Sequence, residues 1–535
     1  MTVKAQTTNK TVQLNVDEKF QEITGFGASL AYYENWLTAH PKRAEIYDVI
    51  FKELSLDILR FRNAHGYDAG MMDRVKEFAE AAEQSLGHPI DILVTSWGPP
   101  AYLKSNNNRK NGGTIKYTVA NGKVEFDYDG FAQWWNESLD NYNENGIYPT
   151  YLSIQNEPDF KATWESCLLR PTEVINTNDT IAGYNKALEA VYDTVMTRES
   201  PPKFVGPECI GIGYNAVEKY INALDLSKLH AIGHHLYHGA EGGTVENDPF
   251  TSSNYKKVGN FHPEIPHFQT EYSRADWFSL AGMIFQSLAQ ENVKAFLYWD
   301  LIWSDGGLVN LHFPWDRNRW TNSKGYNRTK EFYVFKHYSA FIHPGWKRIA
   351  TSQTGEQLKT TAFISSSGDS ASFVAVNRSE TDTIKIRLQV PGYKIEEANV
   401  FTTSEENNFQ TSSYLNDTLL YIPPKSIQTA DLRLSQVNTS TIENHVDHSL
   451  TGITNYPNPF TQTTSLQFIS KENADFLFSV YNTNGQLVSM KKIGIYSSGK
   501  HIFTFSRNGL DSGVYIYQLK SSKGNTKIGK FIIAD

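Results

Sequence analysis

Two glutamates stand at the ends of short strand-like runs: Glu157 in Tyr151-Leu-Ser-Ile-Gln-Asn-Glu-Pro-Asp159 and Glu271 in Ile265-Pro-His-Phe-Gln-Thr-Glu-Tyr272. Paired carboxyls so placed are the usual machinery for cleaving a glycosidic bond, one protonating the departing oxygen and the other acting as nucleophile or base. Pro158 biases Glu157 towards extended backbone, which holds it at a strand end and out of a helix. Asn156 beside it offers an amide to a sugar hydroxyl. Arg60, on an earlier run, is a candidate cation near the nucleophile, with a salt bridge elsewhere as the alternative.

The string Gly233-His-His-Leu-Tyr-His-Gly239 invites a metal reading. Neighbouring side chains on a strand point to opposite faces, however, so His234, His235 and His238 cannot all ligate one ion. We expect no metal and no cofactor. Instead His235 and Tyr237 should share the inward face, with Tyr237 in reach of the nucleophile. Aromatic residues make up 13% of the chain, and rings near the glutamates can stack on the apolar faces of sugars. Trp97, Tyr272, Trp299 and Trp303, at or just beyond strand ends, are the candidate platforms, with core packing as the alternative for each.

These side chains need a frame, and eight short apolar or β-branched runs between helix-like stretches supply one. They begin at Ile23, Ile58, Asp91, Tyr151, Lys203, Ala231, Ile265 and Ala295. Strands alternating with helical patterns indicate a parallel sheet, and eight such units suggest a closed (β/α)8 barrel of α/β class. Its fourth and seventh strands face one another across the mouth, so Glu157 and Glu271 can approach to about 5 Å, the separation of a retaining mechanism. Helical spacing places Val75, Phe78, Ala79, Ala82 and Leu86 on one face, and Tyr184, Leu188, Val191 and Val195 on another. The Asn/Gly-rich connection from Ser96 to Asp129 leaves the third strand where barrel enzymes build their sites.

Beyond about residue 345 the pattern turns to alternation, in Ala371–Asn377, Thr383–Val390 and Ala398–Thr402, as in a half-buried β-sandwich. Thr11–Val16 alternates too, so residues 11–22 and 346–435 are expected to form one side sandwich flanking a barrel over 23–345. A Ser/Thr/Asn/His-rich linker over 436–449 precedes a second sandwich over 450–535.

At 535 residues the chain exceeds a single core, and its net charge of -8 argues against a polyanion-binding surface, so nucleic acid is not an expected partner. No run of about 18 apolar residues marks a membrane span. The opening Met1–Lys10 lacks the apolar stretch of a secretion leader, and Lys4-Ala5-Gln6 is read as the remnant of a cleavage site. Two cysteines, Cys167 and Cys209, exclude a disulfide-rich scaffold. Whether they bridge or remain free buried thiols stays open at this point.

An ordered set of strings resembles glycoside hydrolase family 30: Gln21–Ala28, Leu56–Phe61, Thr95-Ser-Trp-Gly-Pro-Pro-Ala-Tyr-Leu-Lys104, Ser153–Asp159, His235-Leu-Tyr237, Thr270-Glu-Tyr272 and Ile422–Thr429. The resemblance spans roughly residues 11–435. It implies a retaining mechanism with Glu157 as acid/base and Glu271 as nucleophile, and a sandwich built from both ends of the barrel. Within the family the chain looks closest to bacterial endo-β-1,4-xylanases, which makes plant cell-wall xylan the expected substrate and a monomer the expected state. Other branches, cleaving β-1,6-glucan or glucosylceramide-type bonds, stay open, as does a non-catalytic surface glycan-binding protein. Glucuronoxylan-specific members carry an arginine just after the eighth strand. Here Trp299–Gly307 has none, so weak dependence on glucuronate branches is expected unless Arg317 or Arg319 reaches in. The tail, with Asn455-Tyr-Pro-Asn-Pro-Phe460 and Gly513-Val-Tyr-Ile-Tyr517, resembles the C-terminal sorting domain of the type IX secretion system. That implies a secretion-machinery partner and a secreted or cell-surface location.

Overall fold

Eight parallel strands close into a barrel: Gly25–Leu30, Ile58–Arg62, Asp91–Thr95, Tyr151–Ser153, Lys203–Cys209, Ala231–His235, His267–Glu271 and Ala295–Tyr298, with the last pairing the first. The structure is a computed structural model describing residues 7–237, 245–273, 275–313, 325–415, 419–437, 450–471, 473–483, 485–523 and 526–535. The expected barrel is therefore present, although the fourth strand ends at Ser153 and leaves Glu157 in the turn that follows. His238, Arg317, Arg319 and nearly all of the expected linker lie outside the described residues.

Strand alternation explains how the interior is filled. Ile58, Leu93, Tyr151, Val205, Ala231, Phe268, Ala295 and Leu297 form an apolar cluster of their own inside the barrel. The same faces, continued by even steps, carry Arg60, Trp97, His235 and Trp299. Two irregularities break the rule. His234 pairs Gln269 while His235 pairs Glu271, and Pro207 pairs Gly233 while Cys209 pairs His234. An extra residue in one strand of a pair re-aims the side chains beyond it. Here the slips turn Glu271 and Glu208 inward, although strict alternation from Phe268 and Val205 would send both out.

Helices pack the outside by the faces their spacing predicts. In Met71–Leu86, Val75, Phe78 and Ala82 are buried, and Gly87 ends the helix in the left-handed region at φ 81°. In Tyr184–Val195, Tyr184, Leu188, Val191 and Val195 are buried, joined by Ala187.

Thr7–Glu22 pairs antiparallel with Lys347–Thr351 and parallel with Thr383–Gln389, inside a nine-stranded sheet otherwise made from residues 347–436. Along Ser370–Asn377 the alternation serves two cores. Ala371, Phe373 and Ala375 face Val12, Leu14 and Ile386, whereas Val374 and Val376 join the barrel's outer core. Barrel and sandwich belong to one compact unit, Met1–Gln436, and Val437–Asp535 forms another. In the latter, sheets Leu450–Tyr456/Thr463–Ser470/Gly499–Ser506 and Leu487–Tyr496/Ala474–Tyr481/Gly513–Ser521/Thr526–Ile533 enclose a Phe-rich core. Among the described residues no helix is long and apolar enough to cross a membrane.

Candidate active site

Glu157 and Glu271 meet at the barrel mouth. One oxygen of each carboxylate and a ring nitrogen of His235 lie within 4.8 Å of one another. Each glutamate is held by what the neighbouring strands deliver. Arg60, fully buried, donates from Nη1 to Glu271 Oε2 at 2.6 Å and from Nη2 to Asn156 Oδ1 at 2.7 Å. Tyr237 Oη donates to Glu271 Oε1 at 3.1 Å. His235 Nδ1 stands 3.1 Å from Glu157 Oε1. His234, one residue back, points away from the mouth, with Nε2 2.5 Å from Glu291 Oε1.

Two differences from the sequence expectation bear on the chemistry. Pro158 was expected to keep Glu157 extended, yet its φ is 44°, in the left-handed region. The turn is fixed by Glu157 N–H donating to the Glu208 carbonyl at 3.1 Å and Asn156 N–H donating to the Ser96 carbonyl at 2.7 Å. A non-glycine residue in this region costs free energy that the surrounding contacts must offset. Tyr272 was expected as a sugar platform, but it is fully buried, with its ring centroid 5.2 Å from that of Tyr237. It backs Tyr237 and does not line the cleft.

Sequence reasoning missed Glu208. Its side chain is fully buried, with Oε1 3.2 Å from Arg60 Nη2 and 3.9 Å from His235 Nε2. These are ion-pair separations without hydrogen-bond alignment. Burial alone would raise the Glu208 carboxyl; Arg60 and His235 outweigh it and bring it down to about 2. For His235, burial favours the neutral ring, yet Glu271, Glu157 and Glu208 together raise it to about 9. Glu157 goes the other way: burial raises its carboxyl despite the opposing contact with His235. One carboxyl is thus biased to carry a proton beside another, Glu271, whose oxygens receive an arginine and a tyrosine donor. Environments that differ in this way separate an acid from a nucleophile.

The His235, Glu157 and Glu271 donor atoms are spaced closely enough to suggest a cation site. Arg60 already delivers its charge to Glu271 at hydrogen-bond distance, and His235 is biased to be protonated. Both features repel a metal ion.

Around the carboxyls lies a cleft of about 480 Å³ walled by Trp97, Trp299, Trp303, Tyr32, Tyr33 and Trp164, with Asn156 and Tyr237 at its base. Trp97 packs under Arg60, whose guanidinium carbon lies 4.3 Å from the ring centroid, and sits 5.5 Å from Trp299. Tyr33 stacks on Trp36 at 4.0 Å and meets Trp303 at 3.8 Å, forming an aromatic shelf that the sequence did not mark. Tyr32 and Tyr33 follow the first strand's C-terminal end, the one signal that could have found them. Trp164 is 45% exposed and belongs to the loop after Glu157. The Asn/Gly-rich segment anchors that loop. Buried Lys104 donates to the carbonyls of Gly112 and Ser166, and Glu165 bridges Arg62 at 3.1 Å and Arg109 at 2.9 Å. No arginine or lysine lines the cleft among the described residues. Cys167 and Cys209 are free and buried.

The chain is similar in sequence and in fold to known proteins. Residues 454–534 match the family model described as a secretion system C-terminal sorting domain. The chain is 24% identical over 434 residues to glucuronoxylanase XynC of Bacillus subtilis (strain 168), covering 78% of this chain and 90% of that protein. It is similar in fold to the catalytic domain of a family 30 xylanase C from Talaromyces cellulolyticus, with a TM-score of 0.62 and 18% identity over 79% of this chain and 100% of that one. The endo-β-1,6-glucanase BT3312 shares the fold at a TM-score of 0.58 and 16% identity, covering 79% and 94% of the two chains.

Proposed function

We propose that this chain, a relative of the family 30 glycoside hydrolases in sequence and fold, is a secreted endo-β-1,4-xylanase that retains anomeric configuration. The observation that carries the reading is the approach of the Glu157 and Glu271 oxygens to within 4.8 Å. That spacing leaves no room for a water between carboxylate and sugar, as inversion requires. Glu271 attacks the anomeric carbon while Glu157 gives its proton to the departing glycosidic oxygen, forming a glycosyl ester. Glu157, now a carboxylate, takes a proton from water, and the resulting hydroxide equivalent displaces Glu271. Arg60 and Tyr237 hold both nucleophile oxygens, which fixes the attack direction. Trp303, Tyr33 and Trp164 supply flat surfaces for a chain of pyranose rings.

The stretch after the eighth strand, Trp299–Gly307, carries no arginine to pair a glucuronate carboxylate, which supports action that does not depend on that branch unless Arg317 or Arg319, outside the described residues, reaches in. Comparable rates on glucuronoxylan and unbranched xylo-oligosaccharides are expected. Activity confined to glucuronate-bearing chains would overturn this part, and preferential cleavage of β-1,6-glucan would move the chain to the other branch. Proton NMR of the first-formed product should show the β-anomer, and Glu271→Gln should abolish turnover. A wild-type protein that binds xylan without cleaving it would make it a glycan-binding protein. The tail's match supports export through the type IX machinery. Deleting residues 450–535 should leave hydrolysis intact and hold the enzyme in the periplasm, whereas normal secretion after deletion would refute that role.

A further inference from the structure

Glu208 is a buried carboxylate at the barrel mouth to which the mechanism above gives no step; Asp300 and Asp159 also lie there, but burial raises both of their carboxyls, whereas Glu208 is held down as a fixed charge. It is fully buried, stands at a bulge with φ 58°, and reaches Arg60 and His235 at ion-pair distance. We infer that Glu208 is a positioning residue of the reaction: it is the fixed anion that retains two buried cations, so that the proton required by the leaving group stays on Glu157. The inference rests on the proposed roles of Glu157 and Glu271.

A charge count across the cluster gives the reason. Arg60 and His235 are positive, Glu208 and Glu271 are negative, and a protonated Glu157 leaves the buried group neutral. In the first step Glu271 becomes an ester and loses its charge while Glu157 gives up its proton and gains one. The total is again zero, so neither half-reaction leaves a net charge in a site of low dielectric. Without Glu208, two cations face Glu271 alone. Neutrality is then reached only if Glu157 or His235 releases a proton, and in the first case the acid is absent before substrate arrives.

The surroundings of Glu208 leave little else to balance it. Arg60 reaches it from the second strand and His235 from the sixth. Ser153 adjoins it from the fourth strand, and Tyr184 from the helix outside is raised by burial and by the Glu208 charge. Glu157 contacts it through the backbone bond to its carbonyl, and Glu271 acts on it through their shared Arg60. Gly233 makes room for it, since a Cβ there would stand 3.3 Å from Glu208 Cγ.

The test uses full-length Glu208→Gln and Glu208→Asp. One readout is the pH profile of kcat/KM on a xylo-oligosaccharide and on an activated aryl xyloside. The other is the ring-nitrogen titration of His235 by NMR of histidine-labelled protein, which needs no activity. For Glu208→Gln we expect the alkaline limb to move to lower pH and kcat/KM at pH 7 to fall by about 10²-fold on the oligosaccharide, the scale of a lost general acid. The loss should be smaller on the activated substrate, whose departure needs little protonation. His235 should titrate at lower pH, and Glu208→Asp should lie between Gln and wild type in both readouts. If the Gln variant does not accumulate as folded protein, the Asp variant carries the same two readouts. An unmoved limb with an unmoved His235 titration overturns the inference, even if activity drops. A wild-type enzyme inactive on every glycan would sink the hydrolase reading alone, because the His235 titration would still decide the place of Glu208.

Discussion

Arg60→Met isolates what the buried arginine contributes to stability. The guanidinium is fully buried between Glu208 at 3.2 Å, Glu271 at 2.6 Å and Asn156 at 2.7 Å. It is the leading cause holding the Glu208 carboxyl down, against burial, at about 2 from an ordinary 4.5. That depression corresponds to about 3 kcal/mol in favour of the folded state. Because the folded value lies below the unfolded one, this stabilisation is fully present above about pH 4.5 and is lost as pH falls through about 2. Methionine fills similar space without charge, so Glu208 and Glu271 would stay buried with one cation, His235. Breaking a buried pair in this way costs about 3–5 kcal/mol. The loss at pH 7 should fall in that range. At pH 4 the orphaned carboxyl can take a proton, and the loss should shrink by at least about 1 kcal/mol. Urea unfolding followed by tryptophan fluorescence measures this, since all eleven tryptophans precede residue 347 and report only on the barrel-and-sandwich unit. A loss below about 1 kcal/mol at pH 7, or an equal loss at both pH values, would refute the reasoning.

Further outcomes follow from other parts of the site. Burial raises Glu157, so kcat/KM on substrates with poor leaving groups should decline only as pH rises past the usual carboxylate range; a decline centred near pH 4 would contradict the acid assignment. Trp303→Ala removes one face of the Tyr33 shelf and should raise KM about 2–10-fold with kcat little changed, and an unchanged KM would remove Trp303 from substrate binding. Cys167 and Cys209 are free, and burial raises both thiols, so a thiol reagent should find neither in native protein and both after unfolding; mass spectrometry showing a bridge would contradict the structure.

Much of this arrangement is legible in the sequence, because strand alternation is a strong rule. From Ile58 and Ala231 it places Arg60 and His235 inside and sends His234 out, and the alternation of Thr11–Val16 announces a strand that belongs with the later sandwich. The same rule hides Glu208. Counting from Val205 puts Pro207 inward and Glu208 outward, and only the slip between Pro207 and Cys209 reverses it. Glu271 depends on a similar slip and was found only because a strand-terminal carboxyl is conspicuous by type. Local preference failed at Glu157, where bonds to the Glu208 and Ser96 carbonyls override the bias of a residue before proline. Tyr272 misled for a different reason: sequence marks a ring at a strand end without telling whether it faces the cleft or backs the ring that does.

The strand Thr7–Glu22 also fixes what can be moved as a working piece. Cutting the chain near residue 345, after the last barrel helix, Lys330–Ser339, would strip this strand of both partners and expose the part of the barrel core that Val374, Val376 and Ile427 cover. A piece meant to keep the barrel covered is therefore expected to carry Thr7–Glu22 together with the sandwich strands up to Gln436. A graft onto another scaffold must keep both of its ends, whereas the tail can be exchanged as a separate cassette.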